Sequence, residues 1–379
     1  MKKRIIQILF ISLGVLTFNL VGCQPSQKDK RSETVPAHPI EKGVSAPFAG
    51  FIGEDLLVGG GCNFPETPAA VGGKKVYYAD IFSWDSTSDS ALWKHHAELP
   101  YPIAYGATVE VAEGLICIGG MNATTSLKDV YRIGKDKESN RFTWKTLPSL
   151  PESIDNATAT CIGRSLYVTG GNQGHGGNAL YTLNLDQDTT WTKLADYPGA
   201  KRIQPVLLAS DEELYLFGGF EVKTTNNKEV TDKEGVISSD FITYNVKENV
   251  WSRPQAIPTM NDGSTRALVG AAGTRVSNLF VIAGGVNYSI FKAAVEGKAP
   301  SDYMKRPANW YQFSKDVLVY NLQSKEWKVI ADVDGFNKAG GSLLHHNGSI
   351  YMVCGEIKPG IRTNEIVTKD LKQLLQTTH

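Results

Sequence analysis

Between Cys354 and Thr363 the chain reads CGEIKPGIRT, which gathers one acid, Glu356, and two bases, Lys358 and Arg362, around a Pro359-Gly360 pair. A Pro-Gly pair marks a turn, so Arg362 is expected to fold back toward Glu356 and to face the same opening. A carboxylate can act as a general base. A guanidinium stays protonated, which suits it to gripping an anion and stabilising charge on oxygen. The same residues would equally serve as a surface ion pair holding a loop, a common arrangement of slight energy.

The elements that must position this loop recur along the chain. A short apolar run ending in Gly-Gly appears as LLVGGG at 56, LICIGG at 115, LYVTGG at 166, LYLFGG at 214 and LFVIAGG at 279, with IYMVCGE at 350 as a degenerate sixth. A second strand-like run follows each of the first five, and then a tryptophan opens a third: Trp93, Trp144, Trp191, Trp251 and Trp327. Four short strands per unit, with glycines ending the second and a tryptophan on the outer one, resemble kelch repeats. The resemblance implies an all-β, six-bladed β-propeller, one blade per repeat around a central channel. The sixth unit runs out after NEIVTKDL without a tryptophan strand. An open sheet edge is generally covered, so the N-terminal segment from about Val35 to Ser45 is expected to close the last blade.

The residues just after each glycine pair would form a ring at one mouth of the channel: Gly61-Cys62, Met121-Asn122, Asn172-Gln173, Phe220-Glu221, Val286-Asn287 and Glu356-Ile357. Glu356 is the only acid in the first position, and amides or a carboxylate fill most of the second. Such a ring suits a polyol ligand, and equally a channel holding ordered water.

GGVNYSIF (284–291), a long insertion and then CGEIKPGIRT resemble the paired signature of the bacterial sialic acid mutarotases, the N-acetylneuraminate epimerases. Shorter echoes are AYG (104–106), KRIQ (201–204) and GGKKVYYADIF (72–82). Here the two signatures fall at the C-terminus, which resembles a cyclically permuted branch of that family; a closed ring of blades tolerates such reordering. The resemblance implies that Glu356 and Arg362 are catalytic and that Asn287, Arg202, Lys358 and Tyr105 bind substrate. The family often carries an arginine before AYG, where this chain has Ile103, which would remove one anchor for an anionic sugar. The implied reaction exchanges the α and β anomers of N-acetylneuraminate or a related keto-sugar. One group takes the proton of the anomeric hydroxyl while another protonates the ring oxygen. Glu356 is the base, Arg362 binds the carboxylate, and the second proton comes through water or from Glu356 itself. No cofactor or metal is required, and the partner is a small acidic sugar.

The two ends of the chain carry further expectations. Lys2-Lys3-Arg4, an apolar run to Val21 and LVGC at 20–23 read as a lipoprotein signal peptide over 1–22, with lipidation at Cys23 and a flexible tether over 23–34. A single membrane helix is the alternative. The propeller would occupy 35–379, exported and held by its lipid on the periplasmic side or outer membrane of a bacterium. With 39 basic and 39 acidic residues the net charge is zero, which argues against nucleic acid as a partner. Cys117, Cys161 and Cys354 lie in apolar runs as free thiols, and no C-x-x-C pair suggests zinc or redox chemistry. A surface module that binds a glycan or protein is the competing class. A sialidase is disfavoured because only STSDSALW (86–93) resembles its repeated turn. A copper oxidase is disfavoured because His95-His96 and His345-His346 would point to opposite strand faces. The segment Lys292–Ser314 is too long for a simple loop and reads either as a partly helical flap beside the channel mouth, next to Asn287, or as a surface elaboration.

Overall fold

A computed structural model describes residues 35–88, 92–96, 98–174, 176–227 and 230–377; the expected signal peptide, lipidation at Cys23 and tether lie outside them. Six antiparallel sheets form the six blades of a propeller. Their inner strands, Phe48–Ile52, Ala107–Val111, Thr158–Ile162, Val206–Ala209, Ala272–Val276 and Ser342–His346, each neighbour the next, and the last returns to the first. They enclose a channel of about 440 Å3. The apolar core lies in wedges between blades. Ile116 and Ile118 of blade 2, for example, are buried against Leu166, Val168 and Trp191 of blade 3. Each such side chain contributes roughly 1.5–3 kcal/mol when fully buried.

The glycine pairs have one geometric job. Both residues of every pair adopt positive φ, which lets the second strand of each blade turn sharply toward the mouth. At Gly171 a Cβ would meet the Asp155 carbonyl oxygen at 2.3 Å. In blade 6 the first position is Cys354, at φ 52° and fully buried, a conformation that costs a residue with a Cβ.

A girdle of backbone hydrogen bonds closes around the axis at this end. Ala46 N–H donates to Gly340, Tyr105 to Ala46, Asn156 to Tyr105, Gln204 to Asn156, Gly270 to Gln204 and Gly340 to Gly270, at 2.6–3.2 Å. All six residues have positive φ. The chain therefore places six equivalent side-chain positions around the mouth, three of which are Tyr105, Asn156 and Gln204.

The outer-strand tryptophans join neighbouring blades. Trp144 Nε1 donates to the Glu98 carbonyl, Trp191 to Pro148 and Trp251 to Ala195, each in the loop that ends the preceding blade. Trp93 of blade 1 donates to Pro36. The N-terminal segment closes the sixth blade as expected, but not as a strand: that sheet has three strands, Ser342–His346, Ser349–Val353 and Ile366–Asp370, and Val35, Ile40 and Val44 pack against it. Residues 36–44 stand in for the missing outer loop instead. Helix α2, Leu371–Gln376, follows the third strand and buries Leu371 and Leu374. The physical reason is local: Pro36 and Pro39 cannot donate to a ladder, and the αL Gly43 turns the segment inward. Between blades 6 and 1, Phe51 stacks on His346 at 4.0 Å.

Candidate functional site

The acid–base loop folds as its Pro-Gly pair requires. Glu356–Lys358 pairs with Ile361–Arg362 in a short hairpin, with Glu356 opposite Arg362. Arg362 Nη2 lies 2.8 Å from Glu356 Oε1, and the Gly360 N–H donates to the same oxygen at 3.4 Å. The Arg362 side chain is 3% exposed and that of Glu356 24%. Arg362 also lies over the Phe64 ring, 4.8 Å from its centroid. Its Nε and Nη1 are buried and have no protein partner. Burial pushes the Glu356 carboxyl above its ordinary range, while Arg362 first, then the Gly360 N–H and Lys75, pull it back.

Three regions hold this hairpin. Behind it, His38 N–H donates to the Asn364 carbonyl at 2.8 Å. Gly43 approaches so closely that a Cβ would sit 2.0 Å from the Thr363 carbonyl carbon. Beside it, a Cβ on Gly360 would meet Ala69 at 2.7 Å, with Met304 next at 3.4 Å. The insertion after Asn287 is indeed partly helical, with helix α1 over Tyr288–Val295 and 3-10 turns at Tyr303–Lys305 and Ala308–Tyr311. It grips the hairpin through Lys358, whose Nζ donates to the Arg306 carbonyl at 2.7 Å and lies over the Tyr311 ring. Burial, with the charges of Tyr311 and Glu356, pushes the Tyr303 hydroxyl up to about 12. This segment therefore borders the site.

The opposite wall comes from the other end of the chain. Lys75 Nζ donates to the Tyr105 hydroxyl at 3.0 Å, and the Cys62 thiol does so at 3.4 Å. Burial raises the Tyr105 phenol, which also feels Cys62, Glu356 and Arg362. Tyr77 feels Cys62, Asp155 and Arg362. Asp155 is buried and accepts from Asn156 and Asn172 at 2.6 Å and from Ser126. Gln204 Nε2 donates to Asn156 Oδ1 at 2.9 Å. Acid, guanidinium, ammonium and phenol thus act on one another's charge, and the amides of Asn156 and Gln204 follow Tyr105 around the girdle.

The other expected site residues are engaged elsewhere. Asn287 caps α1, accepting from Ile290 N–H at 3.0 Å and donating to Gln312 at 3.1 Å. Arg202 donates to the Gly218 carbonyl at 2.9 Å and to Asp240 at 2.6 Å, in the wall of blade 4. Ile103 holds the matching position in blade 2: its carbonyl accepts from Gly61 as that of Arg202 accepts from Gly171. Its side chain is buried in an apolar cluster. The comparison with Arg202 shows that a basic residue at this position points into the blade, so Ile103 removes no anchor from the mouth.

The expected ring of amides is also corrected. Asn122 closes its own turn onto Thr124 and Thr125, Gln173 is bonded to Gly170 and Ala179, and Glu221 accepts from Lys201 N–H. Blade 1 is shifted by one, since its pair is Gly60-Gly61 and Cys62, not Gly61, is the counterpart of Glu356. Sequence reasoning missed Lys75, Phe64, Asn156, Asp155 and Gln204. Two signals were present: Lys75 lies in GGKKVYYADIF, and Gln204 lies two residues beyond Arg202 in KRIQ.

Comparison with known proteins bears on the family and the fold. The N-acetylneuraminate epimerase family model matches residues 147–377, more than half of the chain. An N-acetylneuraminate epimerase of Haemophilus influenzae (strain PittEE) is 32% identical over 235 residues, 58% of each chain. One from Salmonella enteritidis PT4 is 31% identical over 233 residues, 58% of this chain and 57% of its own. This chain thus spans under three-fifths of the curated relatives it matches. A solved structure, "Structure of YjhT", shares the propeller fold with a TM-score of 0.61 at 13% identity, over 89% of this chain and 97% of that one. A propeller with the Glu356–Arg362 hairpin at its mouth, matched by the family model from the end of blade 2 to the end of blade 6, belongs to the N-acetylneuraminate epimerase family.

Proposed function

We propose that this protein is a mutarotase that interconverts the α and β anomers of N-acetylneuraminate or a closely related acidic keto-sugar by opening and reclosing the ring. The observation that carries this reading is the state of Arg362. It is buried, it is paired through one nitrogen to Glu356, and its Nε and Nη1 have no protein partner. Buried donors are ordinarily satisfied, and a planar guanidinium with spare N–H groups is matched to a carboxylate. The sugar carboxylate docks there. Glu356 then takes the proton of the anomeric hydroxyl, the carbonyl forms, and the ring carbon–oxygen bond breaks. Rotation and reclosure on the other carbonyl face give the second anomer.

Support also comes from the names of the relatives and from the distribution of exposed apolar groups. Among the described residues the exposed large apolar side chains, Val71, Val76, Leu92, Trp144 and Val250, are spread over three blades, which offers little to a protein-docking rim. The deciding experiment is proton NMR of freshly dissolved N-acetylneuraminate with and without the protein. Anomer exchange should accelerate at catalytic protein concentration. Tight binding without acceleration, for this and for related keto-sugars, would make the protein a glycan-binding module instead.

We further propose a permuted blade order relative to the family, supported by a match that starts at 147 and carries the paired signature to the C-terminal end. The protein is also proposed to be an exported lipoprotein anchored at Cys23. Cys23→Ser should abolish lipidation and leave unprocessed precursor, read by mass spectrometry; normal maturation of that variant would remove the anchor.

A further inference from the structure

Ring opening needs a second proton transfer, to the ring oxygen, and Arg362 cannot supply it because a guanidinium keeps its proton. Resting on the mutarotase reading above, we propose that Tyr105 is the acid at the ring oxygen and that Lys75 stabilises the phenolate left behind.

Tyr105 occupies one of the six girdle positions, where its neighbours are Ala46, Asn156, Gln204, Gly270 and Gly340. It is the only one of the six with a hydroxyl and the only aromatic. Its backbone is left-handed at φ 60°, as at all six girdle positions, a costly conformation for a bulky side chain. The Lys75 ammonium donates to the phenol oxygen at 3.0 Å and lies 4.9 Å from the ring centroid, and the Cys62 thiol donates from 3.4 Å. In the Lys75 contact the phenol accepts, so its own proton is not directed to the ammonium. Tyr105 feels the Glu356 charge, and Lys75, bonded to the Tyr105 hydroxyl, acts on Glu356 as well; the girdle also links Tyr105 through Ala46 to Gly340, next to the residue that Glu356 bridges. Burial keeps the phenol protonated at neutral pH, as a proton donor requires. Tyr77 and Tyr303 also feel the charges of the site. Among the described residues, however, neither receives a hydrogen bond from an ammonium.

The step balances. Glu356 accepts the anomeric hydroxyl proton, and that O–H pair becomes the second carbonyl bond. The ring C–O bond breaks with its electrons on the ring oxygen, which takes the Tyr105 proton. Lys75 faces the resulting phenolate. On closure the chain hydroxyl attacks the other carbonyl face and returns its proton to Tyr105, while Glu356 gives its proton to the carbonyl oxygen. Both groups end as they began.

The test uses the full-length protein, N-acetylneuraminate as probe, NMR exchange rates, and binding measured separately. Tyr105→Phe removes the proton and little volume. Turnover should fall about 100- to 10,000-fold, with affinity changed by less than about threefold, because Arg362 still holds the carboxylate. Lys75→Gln, at a half-buried loop position, should give a smaller loss of turnover with affinity and melting temperature nearly unchanged, and Lys75→Arg, which keeps the cation, should recover most of it. A purely structural role for Lys75 would lower the melting temperature and leave turnover per folded molecule unchanged. An active parent with a Tyr105→Phe variant of nearly parental turnover overturns this inference and leaves the mutarotase reading intact. An inactive parent overturns both.

Discussion

Two buried arginines of this propeller, each paired with a carboxylate, have opposite surroundings. In the wall of blade 5, Arg266 lies 2.8 Å from Asp316 and also donates to the carbonyls of Pro258 and Thr259 and to the Ser314 hydroxyl. Its Nε and both terminal nitrogens are used, and both partners are buried. At the mouth, Arg362 touches Glu356 and leaves Nε and Nη1 without a protein partner. Burial is similar, so burial alone does not mark a site. The count of donors left over does, because a buried N–H without an acceptor costs about 1–3 kcal/mol until a ligand arrives. Arg202 resembles Arg266: one nitrogen goes to a carbonyl and one to Asp240, although Nε stays unpaired.

The largest effect should separate the hairpin from every wall. Glu356→Gln keeps volume and removes the proton acceptor, so anomer exchange should fall roughly 100- to 10,000-fold with the melting temperature nearly unchanged. The pH profile carries the same contrast. The raised carboxyl of Glu356 means that the parent loses exchange on acidification at a higher pH than an ordinary carboxylate would. It also means that the folded state holds this proton more tightly than the unfolded chain. Its contribution to stability is therefore present at low pH and lost as pH rises through the folded value. Glu356→Gln should remove both the acid limb of the rate and that slope in stability.

Next is the wall. Arg266→Met strands the buried Asp316 carboxylate and should destabilise the fold by about 3–5 kcal/mol, seen as a lower denaturation midpoint. Turnover per folded molecule should be unchanged. Selective loss of turnover with parental stability would reverse the comparison. The smallest effect belongs to Arg362→Lys, which keeps the charge and loses the fork. Affinity for an acidic sugar should weaken by about tenfold, the scale of one charge-assisted hydrogen bond. A neutral keto-sugar should be affected less, and equal weakening of both would argue that Arg362 does not read the carboxylate.

How much was legible in the sequence follows from the range of each interaction. The Glu356–Arg362 pair could be read because a Pro359-Gly360 turn is local chemistry. The six blades could be read because each repeats the same glycines and tryptophan. Arg202 and Asn287 were read from local motifs and proved engaged in a blade wall and a helix cap, since a motif does not say which acceptor its side chain will find first. Ile103 likewise looked like a missing anchor until Arg202 showed where such a side chain points.

The sequence by itself therefore determined the number of blades, the turns at positive φ and the hairpin that brings an acid to a base six positions along. Tertiary structure decided the rest. Only ring closure brings Lys75, Phe64 and Tyr105 of the first two blades to a hairpin near residue 360, because propeller ends meet after a full circuit and no local pattern records that meeting. Closure also decided that Pro36 replaces an outer loop rather than a strand: the Trp93 indole N–H needs an acceptor where the sixth blade provides no loop, and a proline carbonyl can accept although a proline nitrogen cannot donate.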